Sequence, residues 1–72
     1  MKKVLICGAT GFIGKNITLG LSKNINYEIH AVRYKRPKYD SPKNVTWHRA
    51  DLRNPIMVDK LVKGMDIIIQ CA

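Results

Sequence analysis

Acidic residues are scarce in this chain. Five Asp and Glu stand against 13 Lys and Arg, a formal net charge of +8 over 72 residues. Such an excess suits an anionic ligand or nucleic acid, and equally a piece of a protein whose remainder is acidic. Cysteine is also rare. Cys7 and Cys71 each sit inside an apolar run, without a C-x-x-C pair or a histidine at metal-ligand spacing. Two reduced thiols are expected, not a disulfide framework, and no metal site. No apolar run approaches the roughly 20 residues that cross a bilayer. Only Val4 to Cys7 separates Met1-Lys2-Lys3 from Gly8, too little for a secretory signal core. The expected location is the cytoplasm, with no membrane partner. Repeats and low-complexity tracts are absent, and the length allows at most one small domain.

What is present is concentrated in Gly8-Ala9-Thr10-Gly11-Phe12-Ile13-Gly14, where a glycine recurs every third residue directly after the apolar run Val4-Leu5-Ile6-Cys7. A helical pattern follows. Gly8 lets the chain turn sharply off a strand, because glycine tolerates positive φ. Gly11 has no side chain to keep a diphosphate away, and Gly14 lets the new helix approach the sheet closely. The helix N-terminus adds unpaired N–H groups and a partial positive charge. The alternative is an ordinary strand–helix turn without a ligand.

The rest of the chain supplies the context that such a turn needs. A first strand over Lys3 to Cys7 is apolar from Val4 onward, which implies burial on both faces. A helix over Phe12 to Ser22 is expected to face the sheet with Ile13, Ile17 and Leu21. A second strand runs from Tyr27 to Arg33. The stretch from Tyr34 to Asn44 holds Pro37, Pro42 and many charges, and reads as an exposed loop. A short strand over Val45 to Arg49 follows. Asn54-Pro55 then opens a second helix, whose Val58, Leu61, Val62 and Met65 form one buried face, and Gly64 stops it. Asp66 to Cys71 is a fourth strand. The order β-α-β-loop-β-α-β implies an α/β, Rossmann-type parallel sheet with right-handed crossovers, the four-strand N-terminal portion of a doubly wound fold. Because the fourth strand lacks a neighbour or covering helix, residues 1–72 are expected to be the truncated start of a dinucleotide-binding domain without its substrate domain.

Three segments together resemble the extended short-chain dehydrogenase/reductases, the NAD(P)-dependent nucleotide-sugar epimerases and dehydratases. Gly8-x-x-Gly11-Phe12-Ile13-Gly14 is similar to the family's GxxGFIG turn. Asp51-Leu52 follows the third strand, where the family's acidic residue contacts the adenine amino group and the next residue packs on the ring. A solvated or helix-capping carboxylate is the other reading of Asp51. Asp66 to Ala72 resembles the family's DxVIHxAA strand, whose end borders the diphosphate and nicotinamide ribose, with Gln70 in place of the usual His and Cys71 and Ala72 after it. Cys7 stands where the family often has Thr. The resemblance therefore implies cofactor contacts from Gly8, Thr10, Gly11, Phe12, Ile13, Gly14, Asp51, Leu52, Cys71 and Ala72. For the intact protein it implies a nucleotide-sugar substrate and a homodimer.

Cofactor choice is read from the end of the second strand. NAD-binding sites place Asp or Glu there, about 20 residues past the glycines, to accept from the ribose 2′-hydroxyl. Here Arg33 holds that place, with Tyr34, Lys35 and Arg36 after it. A guanidinium pairs with a 2′-phosphate, and a carboxylate repels it. Arg33 and Arg36 therefore point to NADP, with NAD the second choice. A merely solvated basic loop is the alternative.

The family's catalytic pair is Tyr-x-x-x-Lys on a later helix. Tyr34 with Lys38 and Tyr39 with Lys43 match that spacing, but each pair has a proline between its members, so neither sits on one regular helical turn. No catalytic residue is assigned to this chain, and whether the protein is an enzyme depends on residues beyond it. Two other functions share the opening motif or the charge. A nonenzymatic NADP-sensing protein of the atypical short-chain reductase group has a similar glycine turn. Nucleic-acid binding uses basic loops with aromatics such as Tyr34 and Tyr39, but it leaves the glycine turn unexplained and no nucleic-acid motif is present. His30, His48 and Trp47 read as strand residues.

Overall fold

The structure, a computed structural model, describes residues 1–72. Its elements are β1 (Lys2–Cys7), α1 (Phe12–Ser22), β2 (Tyr27–Arg33), β3 (Val45–Arg49), α2 (Pro55–Val62) and β4 (Ile67–Gln70). The strands form one parallel sheet in the order β3-β2-β1-β4. The chain steps outward from β1 to β2 to β3, then crosses back to place β4 on the other side of β1. That reversal opens a crevice beyond the carboxyl ends of β1 and β4, the place where open α/β sheets take ligands.

Side-chain alternation sorts the core into two layers. Val4, Ile6, Ile29 and Ala31 face α1, where Ile17 and Leu21 pack on them. Leu5, Cys7, Val32 and Ala50 form the opposite layer with Leu61, Val62 and Met65 around α2. β1 is central, so Val4 through Cys7 are all buried. Each large member of this set contributes about 1.5–3 kcal/mol by leaving water.

The first helix sits differently from its apolar spacing. Ile13 is 65% exposed, and the buried positions of α1 are Gly14, Thr18 and Ser22. A Cβ on Gly14 would lie 2.0 Å from the Gly8 carbonyl oxygen, so the helix has come in until only small residues fit along its contact line. Ile17 and Leu21 flank that line, and Ile13 falls outside it. α2 begins as its sequence demands: the Asn54 side chain accepts from the Ile56 and Met57 N–H groups, and Pro55 follows. Its apolar face is only half-buried, since no residue of α2 is fully covered. β4 covers Ile67–Gln70 and is shorter than the Asp66–Cys71 strand expected from the sequence. Asp66 instead clamps the start of β1, its carboxylate and amide bonding the Lys3 amide and carbonyl at 2.8 Å each.

The basic connection over residues 34–44 has no regular structure, but it is not a free loop. Asn44 Nδ2 donates to the carbonyls of Ser22 and Tyr27 at 3.1 and 3.0 Å. The Tyr39 ring packs edge-on against Trp47, and Tyr39 Oη donates to the Ala9 carbonyl at 2.9 Å.

Candidate dinucleotide site

The glycine corner joins β1 to α1, and its three glycines exist for three different reasons. Gly8 has φ +76, and a Cβ there would come within 2.7 Å of the Ala72 nitrogen. Both backbone and packing require it to be glycine. Gly14 is required by the 2.0 Å approach to the Gly8 oxygen. Gly11 is different. It lies at φ −73 and ψ 169, ordinary extended backbone, and the nearest atom to an added Cβ is 3.6 Å away. Nothing inside the chain demands glycine at position 11. The space kept bare there faces outward, which is what close approach of a ligand to main chain requires.

The electrostatics at this point favour an anion. The N–H groups of Phe12, Ile13 and Gly14 have no intramolecular partner, since the first bond of α1 runs from the Lys15 amide to the Gly11 oxygen. No side chain caps the helix, and its first turn contains no acidic residue. The positive end of the α1 dipole is therefore uncompensated.

Beside the corner lies a cleft of about 340 Å³, closed by the carboxyl ends of β1, β2, β3 and β4. Gly8 and Thr10 after β1, Arg33 and Arg36 at the end of β2, Asp51 and Leu52 after β3, and Ala72 after β4 all line it. Seven residues singled out in the sequence thus converge from separate segments. Gly11, Phe12, Ile13 and Gly14 stand next to the cleft at the start of α1 rather than on its wall. Cys71 is held behind it, its amide donating to the Cys7 carbonyl at 2.9 Å.

The rim is strongly cationic. Arg33 Nη1 sits 3.5 Å from the Arg36 carbonyl oxygen, and neither arginine is ion-paired. Lys35 adds a third unpaired cation to the wall. The one carboxylate present, Asp51, is already engaged. It accepts from the Arg53 backbone amide and Nε at 3.0 Å each and from Nη2 at 2.9 Å. Hydrogen bonds from Arg53 hold its pKa down to about 2. Asp51 remains ionised, with the geometry of a local turn carboxylate on the cleft wall.

Five wall residues were missed as site residues in the sequence: the buried Val32 and Ala50, and Tyr34, Lys35 and Arg53. Lys35 Nζ lies 5.7 Å and the Arg53 guanidinium 5.9 Å from the Tyr34 ring centre. Position two after Asp51 was the available signal for Arg53, because a short Asx turn brings residue i+2 back to the carboxylate. Tyr34, Lys38, Tyr39 and Lys43 all lie in the irregular connection, so neither Tyr–Lys pair shares a helix.

Away from the cleft, His30 and His48 meet on adjacent strands. His30 Nε2 donates to Glu28 at 2.6 Å, which leaves its Nδ1 to accept from His48 Nε2 at 2.8 Å. Burial, with the neighbouring His30 next, pushes the His48 pKa below its ordinary value.

A nicotinamide dinucleotide fits these residues, with bare main chain at Gly11 and a cleft opening onto cations beside it. No helix is long and apolar enough to cross a membrane. No curated protein matches the chain. Among solved structures, the crystal structure of the oxidoreductase ylbE from Lactococcus lactis is similar, with a TM-score of 0.78 and 32% identity over 97% of this chain. The chain spans only 32% of that protein. The sequence pattern of the NAD dependent epimerase/dehydratase family matches residues 4–72. With the parallel sheet and glycine corner in place, that match over nearly the whole chain shows that it belongs to the NAD-dependent epimerase/dehydratase family.

Proposed function

We propose that the chain is the dinucleotide-binding portion of an NADP-dependent epimerase, dehydratase or reductase acting on a nucleotide-activated sugar. One observation carries the cofactor choice. The carboxyl end of β2 presents Arg33, with Lys35 and Arg36 beside it, none of them ion-paired, where an NAD site would present a carboxylate. A 2′-phosphate brings close to two negative charges to three unpaired cations. A ribose hydroxyl brings none. The sugar-nucleotide class is supported by the family membership and by the likeness of the corner and of β4 to that group's motifs.

The proposal divides the labour among these residues. The amides at the start of α1 hold the diphosphate, Arg33 and Arg36 take the 2′-phosphate, and Asp51 with Leu52 bounds the adenine. Bound nicotinamide supplies hydride exchange with a substrate carbon. This chain's residues bind and orient.

The test is a fluorescence titration of NADPH and NADH against the chain and its Arg33→Asp variant. A charge-assisted contact contributes about 1.5–3 kcal/mol, so the variant should weaken NADPH binding by at least about tenfold. NADH affinity should hold or improve. Unchanged NADPH affinity in the variant would remove the basis for the cofactor choice.

A further inference from the structure

The residue that the sequence pairs fruitlessly with Lys43 has another use. Tyr39 reaches back from the basic connection to the glycine corner, 30 positions earlier, and donates to the Ala9 carbonyl at 2.9 Å. Its ring is held on two sides, by Trp47 at 4.8 Å between centroids and by Lys15 Nζ at 5.0 Å. Trp47 is in turn fixed by donating to Ser41 Oγ at 3.2 Å. The buried Thr18 hydroxyl, which has no hydrogen-bond partner, adjoins the same phenol. At the other end of the segment, the Arg33 carbonyl accepts from the Ala50 amide at 2.9 Å. Residues 34–38 are therefore an arc fastened at both ends, and Lys35 and Arg36 on it line the cleft.

An untethered arc of this composition would not hold its charges in place. Lys35, Arg36 and Lys38 repel one another, and long basic side chains lose much freedom when ordered. A fixed arc makes that loss before any ligand arrives, so less affinity is lost on binding. The anchor point is also informative. Ala9 lies between Gly8 and Gly11, so one hydroxyl ties the cationic arc directly to the diphosphate cradle.

We infer that Tyr39 is a positioning residue for cofactor specificity: it clasps the cationic arc to the glycine corner and thereby sets the preference for a dinucleotide with a 2′-phosphate. The inference rests on the cofactor reading above. Tyr39 does not line the cleft. It acts through Lys35 and Arg36.

The test is Tyr39→Phe, which keeps the ring against Trp47 and Lys15 and removes only the hydroxyl. Two readouts are taken. Limited trypsin digestion of the ligand-free chain reports the arc, through cleavage after Lys35 and Lys38; the Arg36–Pro37 bond resists. NADPH and NADH titrations report specificity. The variant should be cut roughly fivefold faster at those bonds, the factor one ordinary hydrogen bond sets for a local opening. It should bind NADPH roughly fivefold more weakly, with NADH affinity unchanged. Unchanged cleavage would overturn the clasp. Faster cleavage with equal losses for both cofactors would overturn the specificity role and leave a purely structural tether. If Arg33→Asp leaves NADPH binding intact while Tyr39→Phe still speeds cleavage, the 2′-phosphate reading has failed and the clasp has not.

Discussion

Gly11→Ala and Gly14→Ala form a pair whose outcomes should be opposite, and the contrast isolates ligand from fold. At Gly14 the added methyl would sit 2.0 Å from the Gly8 oxygen and 2.9 Å from the Ala9 Cα. Both obstacles are backbone, so relief means lifting α1 off the corner. Overpacking of this kind costs about 1–3 kcal/mol or more. A 72-residue domain has roughly 4–11 kcal/mol in total, so a large share of the stability is lost. At Gly11 the methyl meets nothing closer than 3.6 Å, and φ −73 suits any residue. Alanine is a poorer N-cap than glycine by up to about 1 kcal/mol, while the stiffer unfolded chain returns about 0.4–1 kcal/mol. The net change should stay within ~1 kcal/mol, or a melting shift of less than about 8 °C.

Cofactor affinity should follow the reverse order of expectation from stability. The Gly11 methyl occupies the surface over which a diphosphate would meet bare amides. Losing one charge-assisted bond there weakens binding by between about tenfold and a hundredfold. Urea denaturation gives the stability arm and NADPH titration the binding arm. A Gly11→Ala protein that is stable and binds NADPH normally would refute the diphosphate cradle. A Gly11→Ala protein that unfolds would refute the steric account of the corner.

Two acid-side predictions concern groups at and away from the site. Asp51 has its pKa lowered from 3.8 to about 2 by Arg53, so its contribution is complete above pH 3.8 and is lost as pH falls toward 2. Melting curves between pH 4 and 2 should therefore fall more steeply for the unmodified chain than for Asp51→Asn, and parallel curves would contradict the ion pair. His48 resists protonation in the folded state because of burial and His30, whereas the unfolded chain takes up that proton near 6.5. Stability should decline as pH drops below 6.5, and His48→Gln should flatten that decline. An equal slope in both proteins would show that the His30–His48 contact does not feel the proton.

Legibility in the sequence tracked the range of the interaction involved. Strand and helix positions are set by local pattern, and Tyr27–Arg33, Val45–Arg49 and Phe12–Ser22 lie where alternation, spacing and turn residues put them. Asn54-Pro55 marked the start of α2 because capping is local chemistry. Ile13 was misplaced because its exposure depends on how far Gly14 lets the helix descend, a distance set by the Gly8 oxygen and not by helical spacing. The clasp of Tyr39 on Ala9 spans 30 residues and rests on one hydroxyl, so no periodicity announces it. The corner was legible as a motif, and so were the separate duties of its three glycines. The contacts that enforce two of them, Ala72 against Gly8 and the Gly8 oxygen and Ala9 against Gly14, were not, because only the folded chain makes them.

These separate duties bear on how such a site can change. On the proposed reading, the group common to both nicotinamide dinucleotides, the diphosphate, meets main chain at a corner that two of its glycines lock for reasons internal to the fold. On the same reading, the group that differs, at the ribose 2′ position, meets side chains on an arc that contributes no residue to either buried layer. Substitution at Arg33, Lys35 or Arg36 should therefore alter preference without touching the core. Substitution at Gly8 or Gly14 alters the fold before it can alter preference. Specificity is free to vary in this architecture because the chain keeps it out of the packing that holds the cradle together.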